Sequence, residues 1–399
     1  MTHAHFQATG LNAQGHALHV MPLLPSIGAQ AAAADRSRSL DPALCHALRA
    51  NDVMRLSASA ELGGLDGSTW QIGHELRAVA AQCTSTAWCL WNHLCTYHHF
   101  VGLLGPAHID FLRDIMMRRE WVCFPAGAST QITARSNGSD LALTGVAAFG
   151  SGARYADWAG VVFLPEGTRA LAFSMADLRH TSVHIEPTWE AMSVRASSTD
   201  HVHYAQTPVA STRVVPWAPR HRDALRDPAL KIIAPRYRED WVALSVLWLG
   251  AMATGVAAAA CEETVTGIRD RVAILGTRMA DRPTIHVNLG RVDALINAAS
   301  DTVFAALAET DARVAVGRLP AEADYFRQTL AGMQAVHLCE EAMRLLLRVL
   351  GGNGLREGTD FERRYRDFQA MPLHINGHID RVTEQAGRLL LGLETQNPI

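Results

Sequence analysis

Between Trp241 and Cys261 the chain runs for 21 residues, WVALSVLWLGAMATGVAAAAC, without one charged side chain. A helix of that length reaches across the hydrocarbon layer of a bilayer, so the segment either spans a membrane or is enclosed by protein on all sides. Half of it is Ala, Gly, Ser or Thr, whose transfer into lipid gains little. The segment therefore predicts a helix enclosed in a bundle or between subunits, with no membrane partner. Its small residues Ala251, Gly255 and Ala259, spaced four apart, would let a neighbouring helix come close.

The length of 399 residues is two to three times that of a typical domain of roughly 150. With 48% hydrophobic and 19% charged residues the composition is that of a globular protein. A net charge of -3 and the lack of any basic stripe argue against nucleic acid and for a small-molecule substrate. Seven cysteines, an odd number with no C-x-x-C pair, indicate neither a disulfide framework nor a zinc site and fit a reducing cytoplasm. Residues 1–22 lack the basic start and apolar core of a signal peptide and read as a flexible leader.

From Leu23 to about Met117 the pattern is helical. Asp41-Pro42 is a cap followed by proline at the first helical position, Ser68 caps a helix through Gln82, and Thr84 or Ser85 caps one carrying Trp88, Trp91 and His93. At Trp121 the period changes to short strands rich in Val, Thr and aromatics (140–149, 160–164, 170–173, 182–185 and 201–205). Asn137-Gly138 predicts a hairpin between strands. Helical periodicity returns at Arg222, with long helices over 241–279, 284–309 and 321–350 and a shorter one after Pro372. The expected units are an N-terminal helical domain (23–118), a central β domain (119–221) and a C-terminal helical bundle (222–399), an α+β fold.

The stretch from Gly351 to His378, GGNGLREGTDFERRYRDFQAMPLHINGH, combines a glycine turn, a charge cluster that predicts an Arg366–Asp367 pair, and two histidines four apart. His374 and His378 at that spacing would share a helix face, but no third ligand stands near them, so no metal site is expected. There is no G-x-G-x-x-G after a strand, no Walker loop and no G-x-S-x-G, which leaves nicotinamide binding, nucleotide hydrolysis and serine hydrolysis without local support. None of the nineteen histidines follows a glutamate by three residues, as a di-iron bundle would require.

Several stretches, in order, resemble the acyl-CoA dehydrogenase fold superfamily and within it the two-component (group D) flavin-dependent monooxygenases. They are Glu61-Leu-Gly-Gly, Cys83-Thr-Ser-Thr-Ala-Trp88 with His93, Phe124-Pro-Ala-Gly-Ala-Ser129, the run from Leu143 through Phe149, Ser151 and Trp158, and Trp189 to Val209. The resemblance implies an N-terminal helical domain, a central β-barrel-like domain and a C-terminal four-helix bundle that assembles a cytoplasmic homotetramer. It places Trp88, Phe124, Ala126, Ser129, Phe149 and Ser151 against the flavin, and Arg278 on the cofactor's pyrophosphate. The glycines Gly351, Gly352 and Gly354 would approach the cofactor of a neighbouring subunit, since a turn without side chains exposes backbone N–H groups to an anion. A plain helix C-cap explains the same glycines.

Dehydrogenases of this fold often carry a carboxylate base where this chain reads Leu373-His374-Ile375-Asn376-Gly377. His374 instead falls where the aromatic hydroxylases of the fold place an active-site histidine. The resemblance thus implies an oxygenase component that takes reduced FMN or FAD from a separate NAD(P)H-dependent flavin reductase, reacts with molecular oxygen to give a flavin hydroperoxide, and hydroxylates a small aromatic molecule. His374 would act on the substrate's proton, Ser151 would hydrogen-bond near the reactive edge, and His93 would contact substrate or pack among aromatics. An acyl-CoA dehydrogenase-type oxidoreductase, an N- or S-oxygenase, and a binding subunit that has lost its cofactor are the other readings.

Overall fold

The computed structural model describes residues 17–126, 131–217, 221–273, 276–375 and 378–395. Five helices come first: α1 (Leu24–Ser37), α2 (Pro42–Ala50), α3 (Thr69–Gln82), α4 (Thr84–Leu104) and α5 (Ile109–Met117). Asp41 caps α2 by accepting the Ala43 N–H at 2.7 Å, and Ser68 caps α3 through the Gln71 N–H at 3.0 Å. α4 departs from expectation, because its cap residue is Cys83, which makes no side-chain cap bond. Ser85 lies inside the helix, and its hydroxyl accepts the N–H of Ala196 at 3.3 Å, tying the helix to the β region.

The strands are β1 (Val122–Cys123), β2 (Gln131–Asn137), β3 (Asp140–Gly150), β4 (Trp158–Pro165), β5 (Ala172–Asp177), β6 (Val183–Glu186), β7 (Asp200–Ala210) and β8 (Val215–Pro216). They form one sheet in the order β6-β7-β3-β2-β4-β5-β8, with β1 alongside β4. Asn137 and Asp140 close the β2–β3 hairpin around Gly138, whose φ of +64° only glycine adopts without strain. The β3–β7 register slips twice. One slip accommodates Gln206 at φ +60°, the other Phe149 at φ +58°, and such bulges turn the chain and re-aim the side chains that follow. The residue re-aimed by the second is Ser151.

The remaining helices are α6 (His221–Leu225), α7 (Trp241–Ile268), α8 (Pro283–Ala315), α9 (Glu322–Leu350), α10 (Asp360–Phe368) and α11 (Ile379–Leu390). α7 ends eleven residues short of the predicted Met279. There the chain doubles back, with Val272 bridging Arg278 and the Arg271 carbonyl accepting the Met279 N–H at 2.8 Å. The charge cluster forms α10, a helix the periodicity did not reveal, capped by Thr359. His374 lies in a turn before α11 and His378 caps it, so the two share no helix face.

In α7, 89% of the most apolar 18-residue window is buried inside the protein. Close approach is built on glycine, as expected for Gly255: a Cβ there would sit 2.2 Å from the Arg77 carbonyl oxygen of α3. α7 and α9 cross at Gly250 and Gly332, where a Cβ on Gly332 would meet the Val246 carbonyl oxygen at 2.4 Å. The buried carboxylate of Glu239, just before α7, binds Arg313 of α8 and accepts from Gln328 of α9 at 2.9 Å. Removing one member would leave a charge uncompensated in the interior.

Two alanine substitutions with opposite sign follow. Gly332→Ala should lower the free energy of unfolding by roughly 1–3 kcal/mol through overpacking against Val246. Gly267→Ala, where nothing lies within 4 Å of the new Cβ, should raise it by up to about 1 kcal/mol through helix propensity. Chemical denaturation of the two variants side by side measures both.

Candidate active site

α4 carries Trp88 and Trp91 one turn apart, which places both indoles on one face, edge to face at 5.0 Å between ring centroids. The ring of His374 packs against both, at 5.6 Å from Trp88 and 4.9 Å from Trp91. His374 reaches this position because Phe368 and Met371 are fully buried and its N–H bonds the Met371 carbonyl at 3.3 Å. Enclosure by the two indoles and burial push its imidazole down to about 4, so at neutral pH it is uncharged.

The Trp88 indole N–H donates to Ser151 Oγ at 3.1 Å, joining the helix to the turn after β3. Ser151 Oγ lies 3.0 Å from Thr199 Oγ1, and Thr199 lies 2.7 Å from Ser197 Oγ. When Ser197 and Thr199 donate along this chain, Ser151 receives two hydrogen bonds and its own proton remains to be offered to a ligand. The turn is held in place by backbone, since Gly152 N–H donates to the Ser197 carbonyl at 2.8 Å and Cys89 Sγ bonds the same oxygen at 3.3 Å.

The segment facing Ser151 is strained and fixed from α10. Val194 adopts φ +41°, rare for a β-branched residue, and its N–H donates to Asp367 Oδ1 at 2.7 Å. Burial pushes the Asp367 carboxyl up to about 7. The expected Arg366–Asp367 pair is not formed: Arg366 turns instead to Asp35, at 2.9 Å, and to Glu362.

The structure thus brings Trp88, Ser151 and His374 together. His93 stands apart from them: its Nδ1 accepts the Val122 N–H at 3.1 Å and its Nε2 donates to the Met54 carbonyl at 3.0 Å. With both nitrogens engaged by backbone, it is a structural histidine, and the expected substrate contact is dropped. Phe124 belongs to an aromatic cluster with Phe100, Phe173, Trp217 and Trp241. Ala126 is exposed, and Ser129 lies outside the described residues. Phe149 is 52% exposed, with its ring edge on Trp189 at 6.2 Å.

Arg278 is exposed and donates to the Arg269 carbonyl at 3.4 Å. Gly351 caps α9, its N–H bonding the Leu347 carbonyl, while Gly352 is exposed and Gly354 packs beneath Phe361. Arg271 links these two places: its backbone pairs with Met279 and its side chain donates to the Leu350 carbonyl at 3.3 Å and to the Asn353 amide oxygen at 3.0 Å. Sequence reasoning missed Arg271, Thr199 and the Asp367–Val194 contact, because each acquires its role only from a distant partner.

Residues 247–378 match the acyl-CoA dehydrogenase, C-terminal domain family. The chain is 22% identical over 394 residues to a pigment production hydroxylase from a Rhodococcus species, covering 95% of this chain and 97% of the relative. It is 21% identical over 417 residues to the oxygenase component of p-hydroxyphenylacetate 3-hydroxylase from Acinetobacter baumannii, covering 99% and 93%. Among solved structures, XiaF from a Streptomyces species in complex with FADH2 and glycerol superposes with a TM-score of 0.85 at 22% identity, covering 94% and 95%. The fold is acyl-CoA dehydrogenase-like.

Burial sets a pH signature. His93 is lowered to about 4 from 6.5, so between these values the unfolded chain binds a proton that the folded one refuses, and stability falls as pH drops through that window. For His93 the fall from pH 7 to pH 5 is on the order of 2 kcal/mol. Asp367, raised to about 7 from 3.8, has the opposite sign: its contribution is full below 3.8 and lost as pH rises through 7. His93→Gln keeps one acceptor and one donor and should remove the histidine's share, seen as a smaller difference in urea midpoint between pH 7 and pH 5 than in the parent protein.

Proposed function

We propose that this chain, whose fold is acyl-CoA dehydrogenase-like and whose relatives include two hydroxylases, is the oxygenase component of a two-component flavin-dependent monooxygenase acting on a small aromatic molecule. The observation that carries the reading is the junction at Trp88, one indole that holds Ser151 through its N–H and walls His374 with its ring. The residues fit a reduced flavin, FMN or FAD: Ser151 is buried, accepts from the Trp88 indole, and, when Thr199 donates to it, keeps a proton to present to a ring nitrogen or oxygen. Bound reduced flavin supplies the activation of molecular oxygen. The chain's own residues do the rest.

Trp88 and Trp91 give an apolar, aromatic wall for a substrate ring and would keep water away from it. His374, uncharged, accepts a hydrogen bond from a substrate hydroxyl and holds its proton at a ring nitrogen. The buried carboxylate nearest to it in sequence, Asp367, is engaged with the Val194 N–H. Arg278, Gly351 and Gly352, linked through Arg271, form an exposed patch suited to a phosphate of the cofactor held across a subunit contact, whereas the buried Gly354 supports the turn from beneath Phe361. Phe149, exposed, held in a left-handed conformation and two residues before Ser151, would pack against the bound ring system.

The finer layout belongs to the same proposal: units at 23–118, 119–221 and 222–399, a four-helix bundle in the last, a cytoplasmic homotetramer, and a separate NAD(P)H-dependent flavin reductase. Seven free cysteines agree with a reducing compartment. The relatives' coverage over nearly the full chain supports a shared layout.

Anaerobically reduced flavin and protein mixed with oxygen in a stopped-flow instrument should show a persistent absorbance distinct from oxidised flavin. Reoxidation as fast as in free solution would overturn the proposal. His374→Ala should retain that absorbance but lose hydroxylated product by at least about a hundredfold, as expected for removal of a proton-handling group. Ser151→Ala should shorten the lifetime of the absorbance instead, and unchanged lifetimes would remove Ser151 from the site.

A further inference from the structure

The outer face of the sheet's β6 edge carries side chains that the proposed chemistry does not use. His184 and Glu186 of the edge strand β6 stand directly opposite His203 and His201 of β7. Residues two apart on a strand share a face, so all four project together, away from Val183, Ile185, Val202 and Tyr204, which pack into the sheet's core. His203 Nε2 lies 2.8 Å from Glu186 Oε2. One ligand atom from each of Glu186, His201 and His203 lies within 4.8 Å of the others, and the His184 ring is 5.9 Å from that of His203.

We propose that this array binds a divalent transition-metal ion of the zinc type, with Glu186, His201 and His203 as ligands and His184 as the fourth. Three imidazoles and a carboxylate are a nitrogen-rich donor set that suits zinc, cobalt or nickel over calcium and magnesium. Tetrahedral bonds of about 2.0–2.2 Å place donor atoms roughly 3.3–3.6 Å apart, so Glu186, His201 and His203 must draw together by about an ångström and His184 must swing in beside them. Rotation about the side-chain bonds supplies that, because all four residues are exposed or half-buried and the strand pairing already fixes their backbones. The Glu186–His203 hydrogen bond holds two of the ligands near their final separation, and the ion replaces the proton they share.

With four protein ligands the ion has no open position, so its role is to fasten the edge strand to the sheet. An unpaired strand edge otherwise invites pairing with other chains. The spacing was present in the sequence as His-x-Glu and His-x-His. It becomes a ligand set only through the β6–β7 register, which no local pattern reports.

The test is a Co2+ titration of the full-length, chelator-treated protein, followed by visible absorption. The expected result is one saturating equivalent with the intense bands of tetrahedral cobalt, displaced by an equivalent of Zn2+, and a Zn2+-dependent rise in melting temperature. His201→Asn with His203→Asn should abolish both signals, and Glu186→Gln, which preserves size, should weaken Co2+ binding by more than the roughly tenfold typical of a lost supporting contact. Lack of saturable binding at one equivalent, or equal binding by the histidine double variant, would overturn the assignment. If the double variant fails to fold, Glu186→Gln decides alone: binding as tight as the parent's would overturn the site.

Discussion

A helix without charge over 21 residues has to be surrounded, and the neighbours that surround α7 set the geometry of everything else. Two indole N–H groups show how. Trp91 of α4 donates to the Ser245 carbonyl at 2.9 Å, and Trp248 of α7 donates to the Thr69 carbonyl of α3 at 3.0 Å. Each is a buried donor that would cost a few kcal/mol unpaired, so each fixes the rotation of one helix on another. With Trp91 anchored to α7, Trp88 one turn earlier is aimed at the sheet. The candidate site is therefore a consequence of how α7 is covered.

On the sheet side the geometry is held by strain that polar contacts compensate. Phe149, Val194 and Ser198 all have positive φ, each at a cost of about 1–3 kcal/mol, and they bracket Ser151 and Thr199. Asp200, fully buried, accepts from the Thr188 and Trp189 N–H groups at 2.9 and 3.0 Å and from Arg154 at 2.6 Å. Asp367 holds Val194 from the helical side. Two carboxylates from different elements thus impose a conformation that the local sequence would not adopt, as is common where a site must be fixed before its ligand arrives.

What could be read from the sequence follows the range of the interactions concerned. The caps at Asp41 and Ser68 and the Asn137-Gly138 hairpin are local, and the structure has them where the residues stand. The burial of α7 followed from composition alone. The end of α7 at Ile268 did not, because the reversal depends on Val272 meeting Arg278, and α10 was hidden by a charge density that masks its one buried face. At the site, Ser151 and His374 were picked out by resemblance, and periodicity would never have joined them. Thr199 and Asp367 were illegible because an ordinary threonine and a helix aspartate gain meaning only across tertiary contacts. His93 erred in the other direction: a histidine among tryptophans suggests a ligand until its two backbone partners are seen.

The depressed basicity of His374 constrains what it can do for a phenolic substrate. A phenol of ordinary acidity, near 10, facing an imidazole held at about 4 differs by about 6 units, which is roughly 8 kcal/mol against transfer in the resting pair. On the proposed function, His374 would accept a hydrogen bond before reaction and would not take the proton. On that reading, transfer would become favourable only as oxygen insertion leaves positive charge on the ring and makes its hydroxyl strongly acidic. The burial that lowers the imidazole's basicity would also strengthen that hydrogen bond, so what weakens His374 as a base would improve it as an orienting group. A histidine still near 6.5 would be partly charged at neutral pH and, in the proposed role, would repel the charge developing on the substrate ring.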